Sequence, residues 1–172
     1  MGNPTYYLLF NSSGITGSGF SPDGTVPEGA IVCTRAQAAS PMTWTVSGGK
    51  VIEATPPAPT LAQQAASAIA AGLTITSAST PALNGTYAVA SGVPFGREDI
   101  GTEAQFVSTF SEFTNGTTTL QWPLIDGKTF VTFPTTASFM AFVKAAAQFY
   151  AACKAVAATG AGSLPAASAT IP

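Results

Sequence analysis

The most regular apolar pattern lies towards the C-terminal end of the chain. Phe139, Phe142, Val143, Ala146, Phe149, Tyr150 and Cys153 recur at spacings of three and four, the period of one helix face. Thr135 or Thr136 stands where an N-cap belongs. Just upstream, TTLQWPL and KTFVTF flank Asp126-Gly127, a dipeptide favoured in hairpin turns. Leu120 and Trp122 point one way on the first of these strands, with Gln121 opposite. Phe130 and Phe133 make the alternation of the second imperfect. Residues 117–154 therefore predict strand, tight turn, strand and helix, the folding unit that organises the chain. Trp122, Phe130 and Tyr150 are assigned to its core rather than to an interface.

The N-terminal pattern is shorter-ranged. Residues 5–10, TYYLLF, read as a strand. Residues 15–20 can pair back on it, irregularly because of Gly14, Gly17 and Gly19. A turn at Ser21-Pro22-Asp23-Gly24 leads to a short strand at 30–33. One or two helical turns follow, capped by Thr34 and ended by Pro41. Residues 43–46 and 50–54 form a hairpin about Ser47-Gly48-Gly49. Three prolines within TPPAPT, residues 55–60, favour an extended spacer and mark the best domain boundary.

Residues 61–73 predict a helix between Thr60 as N-cap and Gly72 as its close. Most of its apolar face is alanine, so the face is thin and suited to close packing against a neighbour. Strands are expected at 74–77 and 86–90, and the loop at 92–96 carries Phe95, which reads as buried. Arg97-Glu98-Asp99 is the one local charge cluster. Charges at a helix start, where acids suit the positive dipole end, explain it better than a catalytic carboxylate pair. The helix that follows should place Phe106, Phe110 and Phe113 on one side and stop at Asn115-Gly116. The last segment, AATGAGSLPAASATIP, is small-residued and uncharged. It reads either as a flexible tail or as an extended arm lying on a neighbouring subunit, with Leu164 and Ile171 as anchors.

The expected fold class is α+β. A small β-rich unit (1–54) is joined by the Pro-rich linker (55–60) to an α+β domain (61–156), in which a β-hairpin packs on two or three helices, and an extended C-terminal tail (157–172) follows.

Composition narrows the chemistry. Of 172 residues 46% are hydrophobic and 8% charged, against a usual charged share of about 25%. A surface so poor in charge is easily covered by another protein, because few charges need desolvation. Six Lys/Arg and eight Asp/Glu are spread without a basic run, which argues against nucleic-acid binding. There is no histidine, so the commonest general base and metal ligand is missing. No cofactor or metal site is expected, and no catalytic residue. Cys33 and Cys153 could pair, but two buried free thiols fit better, since Cys153 falls on the apolar helix face. Neither a leader nor a membrane-inserting helix is expected.

Two stretches carry a resemblance. Residues 93–156, with VPFG-R-E-D, a Phe-rich helix, TTLQWPLIDGKTFVTF and an aromatic helix ending YAACKA, resemble an uncharacterised domain of bacteriophage tail and tail-fibre proteins. Its W-x-x-x-D-G hairpin is matched by Trp122 to Gly127. The first 54 residues are similar in layout to tail-fibre assembly or accessory proteins. The resemblance implies a virion structural protein of the tail fibre or its attachment, made in the host cytoplasm. It would form a homo-oligomer or hetero-assembly with other virion proteins, with a host surface receptor as a further candidate partner. A tail-fibre assembly chaperone and a capsid decoration protein are the alternatives, and a glycan hydrolase ranks behind them. No catalytic residue is carried over. Contact candidates are Tyr6, Tyr7, Trp44, Leu164 and Ile171.

Overall fold

The computed structural model describes residues 4–172. It is a mixed α+β protein of two compact units, Met1–Ala58 and Pro59–Pro172. The division falls inside the proline-rich segment, whose rings hold the chain extended.

In the first unit β1 (Thr5–Asn11) is the central strand of an antiparallel sheet, between β2 (Gly14–Ser21) and β3 (Ile31–Cys33). The β1–β2 register slips between Leu9 and Phe10, the irregularity expected of a glycine-rich partner. Helix α1 (Arg35–Ala39) begins at Thr34, which forms a capping box with Gln37. The hairpin β4 (Trp44–Ser47) and β5 (Lys50–Glu53) closes through Gly48 and Gly49. Both glycines have positive φ, the backbone of the tight turn whose twist matches its strands. Leu8 is the one wholly buried apolar side chain among the described residues of this unit.

The second unit is built around α4 (Thr136–Thr159), capped by Thr135 at its start and by Gly160 in the left-handed region at its end. Phe139, Phe142, Ala146, Phe149 and Cys153 are its buried stripe. Helix α2 (Leu61–Ala71), capped by Thr60 and Gln63, packs on α4. The neighbour that its thin alanine face was suited to is thus this chain's own helix, and Ala65 is wholly buried there. A three-stranded sheet has β6 (Leu73–Ser77) at its centre, with β7 (Gly85–Tyr87) antiparallel on one edge. Along β6, Leu73, Ile75 and Ser77 face inwards and Thr74 and Thr76 outwards. After α3 (Arg97–Phe110), the hairpin β8 (Leu120–Pro123) and β9 (Phe130–Phe133) brings Trp122, Val131 and Phe133 into the core. Phe139 lies at the middle of the resulting ring cluster. Its centroid is 5.4 Å from Phe113, 5.5 Å from Trp122, 5.2 Å from Phe133 and 5.9 Å from Phe142.

Four expectations are corrected. Residues 157–172 are neither a free tail nor an arm reserved for a neighbour. Ser168–Ile171 forms strand β10, parallel to β6 on its other edge. Ile171 is buried at 4% exposure, and Leu164 packs on the same core. An open edge of β6 offers unpaired backbone groups, and pairing them while burying Ile171 is more favourable than leaving both to water. Secondly, α3 ends at Ser111, which has a left-handed backbone (φ 62°), well before Asn115-Gly116. The turn beyond it swings Phe113 into the core while Phe106 and Phe110 stack on each other nearer the surface. The cause is Glu103, buried on α3. Its two carboxylate oxygens accept the Thr114 N–H and hydroxyl, each at 2.8 Å, and so fold the chain back. Thirdly, Phe130 is 56% exposed rather than core. In a four-residue strand only Val131 and Phe133 can share the inner face. Fourthly, Phe95 is 42% exposed rather than buried.

Candidate functional site

The sequence-derived contact candidates separate. Tyr6 and Tyr7 are both half-buried on β1 and point to opposite faces of the first sheet. On Tyr6's face the ring lies 5.1 Å from Phe20, and α1 is seated there through the Ser18 hydroxyl, which donates to the Ala38 carbonyl at 2.8 Å. On the other face the Tyr7 ring rests on Gly19, so closely that any side chain there would collide with it. Leu9 and Val32 share this face, and Val32 is 61% exposed. Trp44 is half-buried, and its indole N–H is buried without an acceptor among the described residues. Leu164 and Ile171 belong to the core of the second unit and leave the set.

The first unit carries few charges: Asp23, Glu28, Arg35, Lys50 and Glu53, none of them on β1, β2 or β3. Edge strands in proteins that stay monomeric are commonly guarded by lysine or proline. Here β2 and β3 are both edges and have neither. Leu9, Phe10, Phe20, Val32, Met42 and Ile52 are all exposed in this unit.

In the second unit, the loop between β7 and α3 separates two clefts. Glu98 accepts the Gly92 N–H at 3.1 Å and Asp99 accepts the Phe95 N–H at 2.6 Å. The backbone donor from Gly92 is the main reason that the Glu98 carboxyl is held below its usual pKa. Both acids therefore serve as loop ties at the start of α3. The loop they hold places Phe95 at φ 56°, a left-handed backbone that a non-glycine residue adopts at some cost. Its ring stays 42% exposed and stands edge-on to Trp122 at 5.4 Å. That geometry, rather than core packing, is why Phe95 is at the surface. It borders a cleft of about 440 Å³ shared with Val93, Pro123, Leu124 and Ile125.

Across the loop, a second cleft of about 410 Å³ opens between α3 and α4, walled by Val89, Ile100, Val143, Ala146 and Ala147. At its rim the Arg97 guanidinium lies over the Tyr150 ring, 4.5 Å from the centroid. Tyr150, expected in the core, is only half-buried and lines this cleft. Gly101 lies on α3 beside it, and a side chain at Gly101 would meet open space. Glycine inside a helix costs about 1 kcal/mol relative to alanine, and no close backbone approach at Gly101 explains the choice. Sequence reading missed this arrangement. Its local signals were the Arg97-Glu98-Asp99 cluster, which reads as helix-start charges, and the unforced glycine in α3.

Other ionisable groups have structural employment. Asp126 accepts the N–H groups of Lys128 and Thr129 and the Thr129 hydroxyl in the β8–β9 turn. The backbone donors, that of Thr129 first, pull its pKa from 3.8 to about 2. The folded value is depressed, so the stabilisation is complete above the unfolded pKa and is lost as pH falls through the folded one. The melting-temperature difference between the native chain and Asp126→Asn should therefore be constant above about pH 5 and shrink towards pH 2, measured by thermal melts across that range. Tyr87 is buried, donates to the Leu83 carbonyl at 2.6 Å, and has its pKa pushed up to about 12 by burial. Cys33 and Cys153 are both free thiols, but only Cys153 is buried as expected; Cys33, on the edge strand β3, is half-buried, and desolvation raises the pKa of each. Among the described residues no cluster of His, Cys, Asp and Glu could hold a metal ion, and no helix is long and apolar enough to cross a membrane.

No family model, characterised protein or solved structure shows significant similarity to this chain.

Proposed function

We propose that the protein is a structural component of a bacteriophage tail, in the fibre or its attachment, and that it works through subunit contacts. The tail assignment rests on the resemblance of residues 93–156 to a domain of bacteriophage tail and tail-fibre proteins. The contact role is supported by one observation above the others: the first unit buries Leu8 completely and leaves six large apolar side chains exposed. A unit of this size buries little of its apolar surface when alone. Covering its uncharged strands would stabilise it and would desolvate almost no charge.

The full chain is therefore expected to sediment as an oligomer. Val32→Lys, on the exposed face of β3, should weaken self-association at least about tenfold, or 1.4 kcal/mol, while leaving the melting of the second unit unchanged. A chain that remains monomeric at high concentration, with Val32→Lys without effect, would count against self-assembly. Mass spectrometry of purified particles tests the location. Detection in the particle is the expected result, and absence from it together with binding to fibre intermediates would favour an assembly chaperone instead.

A further inference from the structure

We infer that the cleft between α3 and α4 is a binding site for a small monocarboxylate with an apolar, preferably aromatic, body. Four features converge on it. The cleft has the volume typical of small-molecule sites, which begin at about 300 Å³. Its walls are aliphatic, from Val89, Ile100, Val143 and Ala146. Its rim carries one cation, Arg97, stacked on Tyr150 and with no carboxylate within ion-pair distance among the described residues. Its flank includes Gly101, where a side chain would meet nothing within 4 Å.

The chemistry follows from these groups. The guanidinium lies over the Tyr150 face, and a cation held there by the ring keeps N–H groups available to a ligand. A planar fork of donors matches a carboxylate with two parallel hydrogen bonds. An apolar body then replaces water against the aliphatic walls. Glu98 also lines the cleft. Its carboxylate accepts the Gly92 N–H and interacts with the Arg97 charge from beyond ion-pair distance, so it weakens the pull of Arg97 on any anion and most of all on a dianion. That favours a single negative charge over phosphate monoesters and dicarboxylates. The site is independent of the assembly reading, because it lies wholly in the second unit.

The test uses the full chain with phenylacetate and its neutral isostere phenylacetamide, followed by amide chemical shifts in NMR titrations. Phenylacetate should produce saturable shifts centred on Ile100, Gly101 and Ala147, and bind about tenfold more tightly than phenylacetamide, the share of a charge-assisted pair. Arg97→Gln should reduce phenylacetate to the level of the amide. Gly101→Leu removes a helical glycine and should leave the protein folded while blocking both probes. Equal affinity for the two probes, unchanged affinity in Arg97→Gln, shifts centred elsewhere, or no shifts at millimolar probe would each overturn the assignment.

Discussion

Replacing Phe139 by alanine is expected to destabilise the second unit by about 3–5 kcal/mol. Phe139 is wholly buried and touches the rings of four partners, Phe113, Trp122, Phe133 and Phe142. These partners come from the turn after α3, from both strands of the hairpin, and from α4 itself. No one segment can close over the vacancy without pulling on the others, which places the cost at the cavity-forming end of the range. For a unit of this size the melting temperature should fall by on the order of 15 °C. Denaturant titration followed by tryptophan fluorescence reads the effect directly, since Trp122 is 4% exposed and in contact with the lost ring. A loss below about 1 kcal/mol would mean that the cluster is not the staple of the unit.

Ending the chain at residue 167 should be of comparable size. Strand β10 pairs with β6 from Ser168↔Thr74 to Ile171↔Ser77. The Ser77 hydroxyl donates to the Pro172 carbonyl at 2.8 Å. Losing the burial of Ile171 costs about 2–3 kcal/mol, and each of the ladder hydrogen bonds adds about 1 kcal/mol net. The sum is on the order of 5 kcal/mol, against a usual domain stability of about 5–15 kcal/mol. The truncated protein should melt early and show exchange of the β6 amides. An arm serving only a neighbouring subunit would behave differently: the truncated chain would melt as before and lose association. Ile171→Ala separates the terms, with an expected cost of about 2–4 kcal/mol and the ladder kept.

These two experiments probe parts of the molecule that were unequally legible. The α4 stripe, the caps at Thr34, Thr60 and Thr135, and the Asp126-Gly127 turn were all read from the chain, and the structure has them. Each depends on groups within about four residues of one another, where helix period and side-chain-to-backbone bonds decide the outcome. The fate of residues 168–171 was not legible in that way. SATI contains one strong apolar residue in four, too little for a periodic signal. It becomes a strand because β6, far earlier in the chain, has a free edge beside an apolar surface. Phe113 was misplaced for a similar reason. The helical period continued through it on paper, but the bond from Thr114 back to Glu103 ends the helix earlier.

The contact surfaces divide along the same line. The absence of charge from β1, β2 and β3 is a property of composition and could be read at once. Which of the apolar residues it leaves in water could not. Ile171 and Val32 are both aliphatic and β-branched, yet one is at 4% exposure and the other at 61%. Likewise Arg97 and Tyr150 are unremarkable in their own segments and meet only because α3 packs on α4. Local order in this protein follows from its residue spacing, because helix faces, caps and tight turns are short-range matters. Burial, strand partnership and the cleft beside Arg97 were settled only when distant segments competed for the same apolar surface and the same unpaired backbone groups.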